Sequence, residues 1–97
     1  MSWTIDYFEQ ANGIQPAEVF EDELYSLSKK MLGKLLYIRT QLEQLGFQLG
    51  GGYIEKCHDY PGIWEIRVIH NNKLAREFCG FDDERVVLVH GYVKNVG

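Results

Sequence analysis

Cysteine is scarce in this chain: two among 97 residues, too few for a disulfide framework. The first ten residues, MSWTIDYFEQ, have neither the basic start nor the apolar centre of a secretory signal. Together these features predict reduced thiols in a cytoplasmic compartment. Cys57 and His58 are neighbours and would point to opposite faces of a strand, while Cys79 stands alone, so no metal-ligand spacing emerges and no metal or other cofactor is expected. Long apolar runs are missing as well; none approaches the ~20 residues of a membrane-spanning helix, so no membrane is expected as a partner. Basic charge is in deficit, with ten Lys and Arg against fourteen Asp and Glu and a net charge of −4. That argues against general binding of polyanions and leaves a local basic patch as the route to nucleic acid. There is no linker, internal repeat or low-complexity tail. Gly50-Gly51-Gly52 is followed by neither a Lys-Ser or Lys-Thr pair nor a helix, so it reads as a loop rather than a phosphate cradle.

What is present is a globular composition, 45% hydrophobic, of a length that suits one domain over residues 1–97. The richest stretch runs from Ile63 to Val93: IWEIRVIH, the turn Asn71-Asn72, LAREFCGF, an acidic turn around Asp82-Asp83, and RVVLVHGYV. Val, Ile, Phe, Tyr and Trp dominate the runs while Asn, Asp and Gly separate them, the pattern of consecutive β-hairpins. A two-residue turn at Asn71-Asn72 sets Ile69 opposite Leu74, Arg67 opposite Arg76 and Glu65 opposite Phe78. Two arginines then share one face about 5 Å apart, an arrangement that needs an anion between them. Glu65 is one candidate for that anion and a bound phosphate is another. An arginine on a sheet face is also, ordinarily, simply solvated. The opposite face, with Trp64, Ile66, Val68, Ala75 and Cys79, is apolar and needs a cover. His90 and Tyr92 join that apolar face if Asp82-Asp83 form a two-residue turn, and the arginine face if the loop has three residues.

Upstream, Trp3 to Phe8 alternates as a first strand, which Asn12-Gly13 breaks. Pro16 suits the first turn of a helix, and Glu18, Glu21, Asp22 and Glu23 suit its positive end. Phe20, Leu24 and Leu27 form its apolar stripe. Ser28 is placed to cap a second helix ending at Gly46, with a seam of Met31, Leu35, Ile38, Leu42 and Leu45. Gly33 inside that helix predicts close packing against a neighbour. A strand over Tyr53 to His58 and a turn at Asp59-Tyr60-Pro61-Gly62 complete a β-α-α-β-β-β-β order. The expected fold is α+β, an antiparallel sheet covered on one face by a helical hairpin.

The order of these pieces, with GIWEIRVIHNNKLAREFCGFDDERVVLVHGYVK and the SLSKKMLGKLLYIRTQLEQLG helix, resembles the RelE/HigB superfamily of bacterial toxin–antitoxin endoribonucleases. The likeness is strongest to its phage-derived HigB-like branch, and it covers nearly the whole chain. That branch has a Leu-Trp-Glu-Leu-Arg-like strand, a strand with an arginine before an aromatic run, and a last strand ending His-Gly-Phe-x-Lys-Lys. Ile63 to Arg67, Arg76 to Phe81 and His90-Gly91-Tyr92-Val93-Lys94 are the matching positions here.

The resemblance implies metal-free mRNA cleavage, free or on the ribosome, and a cognate antitoxin protein that covers the groove. It implies phosphate-binding and catalytic roles for Arg67, Arg76 and Lys94, with Glu65, His58 and His90 as the candidate proton carriers. Lys56, His58 and Tyr92 would contact RNA. Beyond Lys94 the family pattern has a second Lys, a Thr-x-Lys-Thr-Pro-like stretch and a helix, where this sequence has Asn95-Val96-Gly97. The alternative from another functional class is a non-catalytic module that keeps the fold and binds a cognate protein or a second copy of itself.

Overall fold

In a computed structural model, which describes residues 2–50 and 52–96, the chain runs β1 (Thr4–Tyr7), α1 (Pro16–Leu27), α2 (Lys29–Leu45), a 3-10 turn (Gly46–Gln48), β2 (Ile54–Lys56), β3 (Ile63–His70), β4 (Lys73–Asp82) and β5 (Arg85–Asn95). The expected α+β order is therefore the observed one. The five strands form one sheet in the order β1-β5-β4-β3-β2. β2 through β5 pair antiparallel, and β1 lies parallel to β5 at the far edge. β1 returns to the sheet beside the last strand, a long-range pairing that no local pattern announces.

Local chemistry explains where the elements begin and stop. Pro16 opens α1, where its missing N–H costs nothing. The Met31 N–H donates to Ser28 Oγ at 3.2 Å, capping α2, and Gly46 ends that helix in a left-handed conformation with φ +57°. Asn71 and Asn72 both have positive φ, 50° and 61°, which gives the two-residue hairpin that carries Arg67 opposite Arg76. β2 is shorter than Tyr53 to His58, keeping only three paired residues.

Met31, Leu35, Ile38 and Leu42 of α2 and Ala17, Phe20 and Leu24 of α1 pack on Ile66, Val68, Ala75, Cys79, Val86 and Leu88 of the sheet. Leu27 and Leu45, expected in the two stripes, are instead 50% and 42% exposed at the helix ends. Gly33 also departs from expectation: nothing lies within 4 Å of where its Cβ would be, so it faces open space rather than a packed neighbour. Leu35 is fully buried. Its replacement by alanine is expected to cost about 2–5 kcal/mol as a cavity-forming change. Chemical denaturation measures this, and a loss below roughly 0.5 kcal/mol would mean the helix pair does not cover the sheet.

The alternation that buries Ala75 and Cys79 also carries Glu77 into the core, where it is fully buried opposite Ile66 and Gly91. Neither carboxyl oxygen has a hydrogen-bond partner among the described residues. Burial first, and the Glu21 carboxyl second, push Glu77 up to about 10 from 4.5, so it is neutral at pH 7. An acid with a raised folded pKa leaves the folded state holding the extra proton, so its contribution is fully present below about 4.5 and is lost as pH rises toward 10. Glu77→Gln keeps the shape and removes the titration. It should raise stability at alkaline pH and flatten the slope; identical pH profiles for the two proteins would show that the buried acid is not neutral.

Candidate functional site

The face of the sheet away from the helices is built around Glu65, Arg67 and Arg76. Strand alternation puts Glu65 and Arg67 on one face of β3, and the hairpin register sets Arg76 directly across from Arg67. Glu65 is only 5% exposed. Its carboxylate accepts from Arg76 Nε at 3.1 Å and from Arg76 Nη2, and lies 3.5 Å from Arg67 Nε. The anion that two opposed arginines require is thus supplied internally, by the first of the two candidates. Arg67 Nη1 also pairs with Glu55 at 3.1 Å, because β2 sets Glu55 opposite Glu65.

The two guanidinium groups are held differently. Arg76 donates to the Tyr92 hydroxyl at 2.5 Å, and its guanidinium carbon lies 5.5 Å from the Phe78 ring centre and 5.4 Å from that of Tyr92. The hydrogen bond to Glu65 is the main cause that keeps the Arg76 pKa above its ordinary value. Arg67 is tethered more loosely: its Nε is buried yet makes no hydrogen bond among the described residues. Arg76 is therefore held by hydrogen bonds to Glu65 and Tyr92, whereas Arg67 is held by ion pairs to Glu55 and Glu65.

Tyr92 reaches this face by a device that neither loop option anticipated. The turn is Asp83-Glu84, with Asp82 opposite Arg85, and it leaves Val86 and Leu88 on the core face. The register then shifts between Phe78 and Cys79, so that Cys79 faces Leu88 while Phe78 faces His90. Val89 is the extra residue of this bulge, and it moves His90 and Tyr92 to the arginine face. Gly91 is consequently turned inward, where a Cβ would lie 2.5 Å from the Phe20 ring.

A groove of roughly 270 Å³ brings together Lys56, His58, Glu65, Arg67, Arg76 and Lys94 from the sequence-predicted residues. His90 is not in it; it is exposed on the same face and borders clefts that Phe20 and Glu23 also line. Lys56 Nζ lies 5.5 Å from the Trp64 ring centre, so part of its charge is engaged outside the groove. Glu55 and Asp59 also line the groove and were not singled out from sequence. The signal for Glu55 was its alternation with Lys56, which becomes readable only once the β2 register is known. Four cations thus meet three carboxylates, Glu55, Asp59 and Glu65, which makes the groove polar and only slightly positive. Among the described residues no cluster of His, Cys, Asp and Glu suited to a metal ion occurs, and no helix is long and apolar enough to cross a membrane.

The groove's charged strands fall inside the region that a known family model matches, residues 22–96. No curated protein matches the chain. The matching model is that of the phage-derived Gp49-like proteins (DUF891), a family within the RelE/HigB-like toxin–antitoxin group, and the chain belongs to that family.

Proposed function

We propose that this protein is a toxin-type endoribonuclease that cleaves mRNA without a metal ion and is restrained by a cognate antitoxin protein. The observation that carries the reading is the opposition of Arg67 and Arg76 across β3 and β4, with Glu65 buried between them. Arg76 and Arg67 offer donors to the non-bridging oxygens of one phosphate, a geometry the guanidinium fork suits. The 2′-hydroxyl of the preceding ribose attacks phosphorus and the 5′-oxygen departs, leaving a 2′,3′-cyclic phosphate and a 5′-hydroxyl. Arg67, Arg76 and Lys94 stabilise the charge that builds on the phosphorane.

Glu65 acts as a positioning residue in this scheme, because both its oxygens are directed at the arginines. His58, which shares the groove, is the proton carrier, and His90, which the bulge places on the same sheet face outside the groove, contacts the RNA chain farther along. Membership of a toxin–antitoxin family supports the antitoxin as partner, and the exposed arginine face is where an acidic or amphipathic segment of it would lie.

Purified protein incubated with mRNA, with and without translating ribosomes, tests the reading. Cleavage in either setting is the expected result. If neither yields cleavage while the product of the adjacent gene binds the chain, the protein is a non-catalytic interaction module on the same fold.

A further inference from the structure

A second cavity lies on the other side of Arg67, between α2 and the part of β3 that β2 leaves uncovered. β2 pairs with β3 only as far as Ile66, and the Arg67 N–H donates to Tyr53 O at 3.1 Å; past that point no described strand covers the edge. The pocket there holds roughly 630 Å³, within the range of small-molecule sites. Its wall is formed by Lys30, Gly33, Lys34 and Tyr37, spaced to share one face of α2, facing Tyr53 and Arg67.

Three features distinguish it from a packing defect. Three cations line it and no carboxylate does, in a chain whose net charge is −4. Among the described residues Lys30 and Lys34 have no acidic partner; Lys34 Nζ is instead 3.5 Å from His70 Nδ1. Gly33 keeps the pocket open, since a helix-interior glycine costs up to about 1 kcal/mol relative to alanine and here returns no packing.

We infer that this pocket is a nucleotide subsite, which takes one nucleotide of an RNA strand continuing from the arginine groove around the β3 edge. The inference rests on the ribonucleic-acid reading given above and extends it. Tyr37 and Tyr53, 58% and 44% exposed, supply flat apolar surfaces for a base, and the lysines meet its phosphate. Arg67 lines both the pocket and the groove, so one residue borders the two and marks a continuous path for a single strand. That continuity favours RNA over an acidic peptide as the occupant.

The test is photo-crosslinking with a 2′-O-methyl oligonucleotide of about ten residues bearing 4-thiouridine, which the proposed chemistry cannot cut. Crosslinks are expected on peptides containing Tyr37 or Tyr53 as well as on β3 to β5. Gly33→Leu, whose Cβ would have nothing within 4 Å, should remove the first set, keep the second and weaken binding about tenfold. Crosslinks confined to the outer sheet face, unchanged by Gly33→Leu, would overturn the subsite and leave the RNA reading standing, with an acidic peptide as the pocket's occupant. Absence of any crosslink or binding would remove both.

Discussion

Replacing Arg67 with alanine is expected to slow RNA cleavage by a hundred- to a thousandfold while leaving the fold nearly intact. A charged donor aimed at developing charge in a shielded groove is worth about 2.7–4 kcal/mol of barrier. The stability cost is small for a separate reason. Arg67 has a 31% exposed side chain, and its shorter ion pair is with Glu55, itself half exposed. Such pairs contribute about 0–1 kcal/mol. Glu65 is not left uncompensated either, because Arg76 still donates to it. Arg67→Lys keeps the charge but loses the fork, so its rate should fall between the two. Single-turnover cleavage and chemical denaturation on the same preparations separate the effects. A large loss of stability with unchanged cleavage by the folded fraction would assign Arg67 to the scaffold.

The second large effect is expected at Arg39, far from the groove. Arg39 Nη1 contacts Glu21 at 2.9 Å and the Tyr7 hydroxyl at 3.0 Å, beneath the two helices. Tyr7 donates in turn to Glu21 at 2.5 Å, and burial, with that hydrogen bond, pushes the phenol up to about 12. The pair is mostly shielded, with 17% of the Arg39 side chain and 8% of the Glu21 side chain exposed. Arg39→Leu removes the cation that faces Glu21 and the neighbouring Glu77, and breaking a buried pair from one side costs about 3–5 kcal/mol. The double change Arg39→Leu with Glu21→Leu should recover most of that loss, because no buried charge is then stranded. Denaturation of the three variants gives the coupling. A single variant within about 1 kcal/mol of wild type would mean that water reaches Glu21 after all.

These two sites differ in how much of them could be read in advance. Arg67 opposite Arg76 followed from one two-residue turn, because Asn71 and Asn72 accept left-handed backbone and alternation did the rest. The helical hairpin followed from Pro16, Ser28 and Gly46, which act within one turn of themselves. What escaped depends on distant partners. Glu21 reads as one of four acids toward the N-terminal end of α1, yet it turns inward because Arg39, eighteen residues on, awaits it. Glu77 has the parity of Ala75 and Cys79, but a carboxyl is ordinarily not placed in a core, and its neutral state depends on helices packed over it. The bulge at Val89 decides which face Tyr92 takes, and a one-residue irregularity inside a run of valines leaves no compositional trace. The contents of the groove suffered similarly: His90 matched the motif but lies outside the groove, opposite Phe78, while Glu55 entered through a short β2 whose register was not visible.

The central claim, that two opposed arginines serve attack by the substrate's own hydroxyl, is tested most directly by the ends of the RNA product. Wild-type protein is incubated with mRNA in EDTA, and the 3′ ends of the fragments are analysed by mass spectrometry. The account predicts cleavage that persists in EDTA and fragments ending in 2′,3′-cyclic phosphate. Fragments ending in 3′-hydroxyl, or ribosome-free cleavage that stops on chelation, would contradict it.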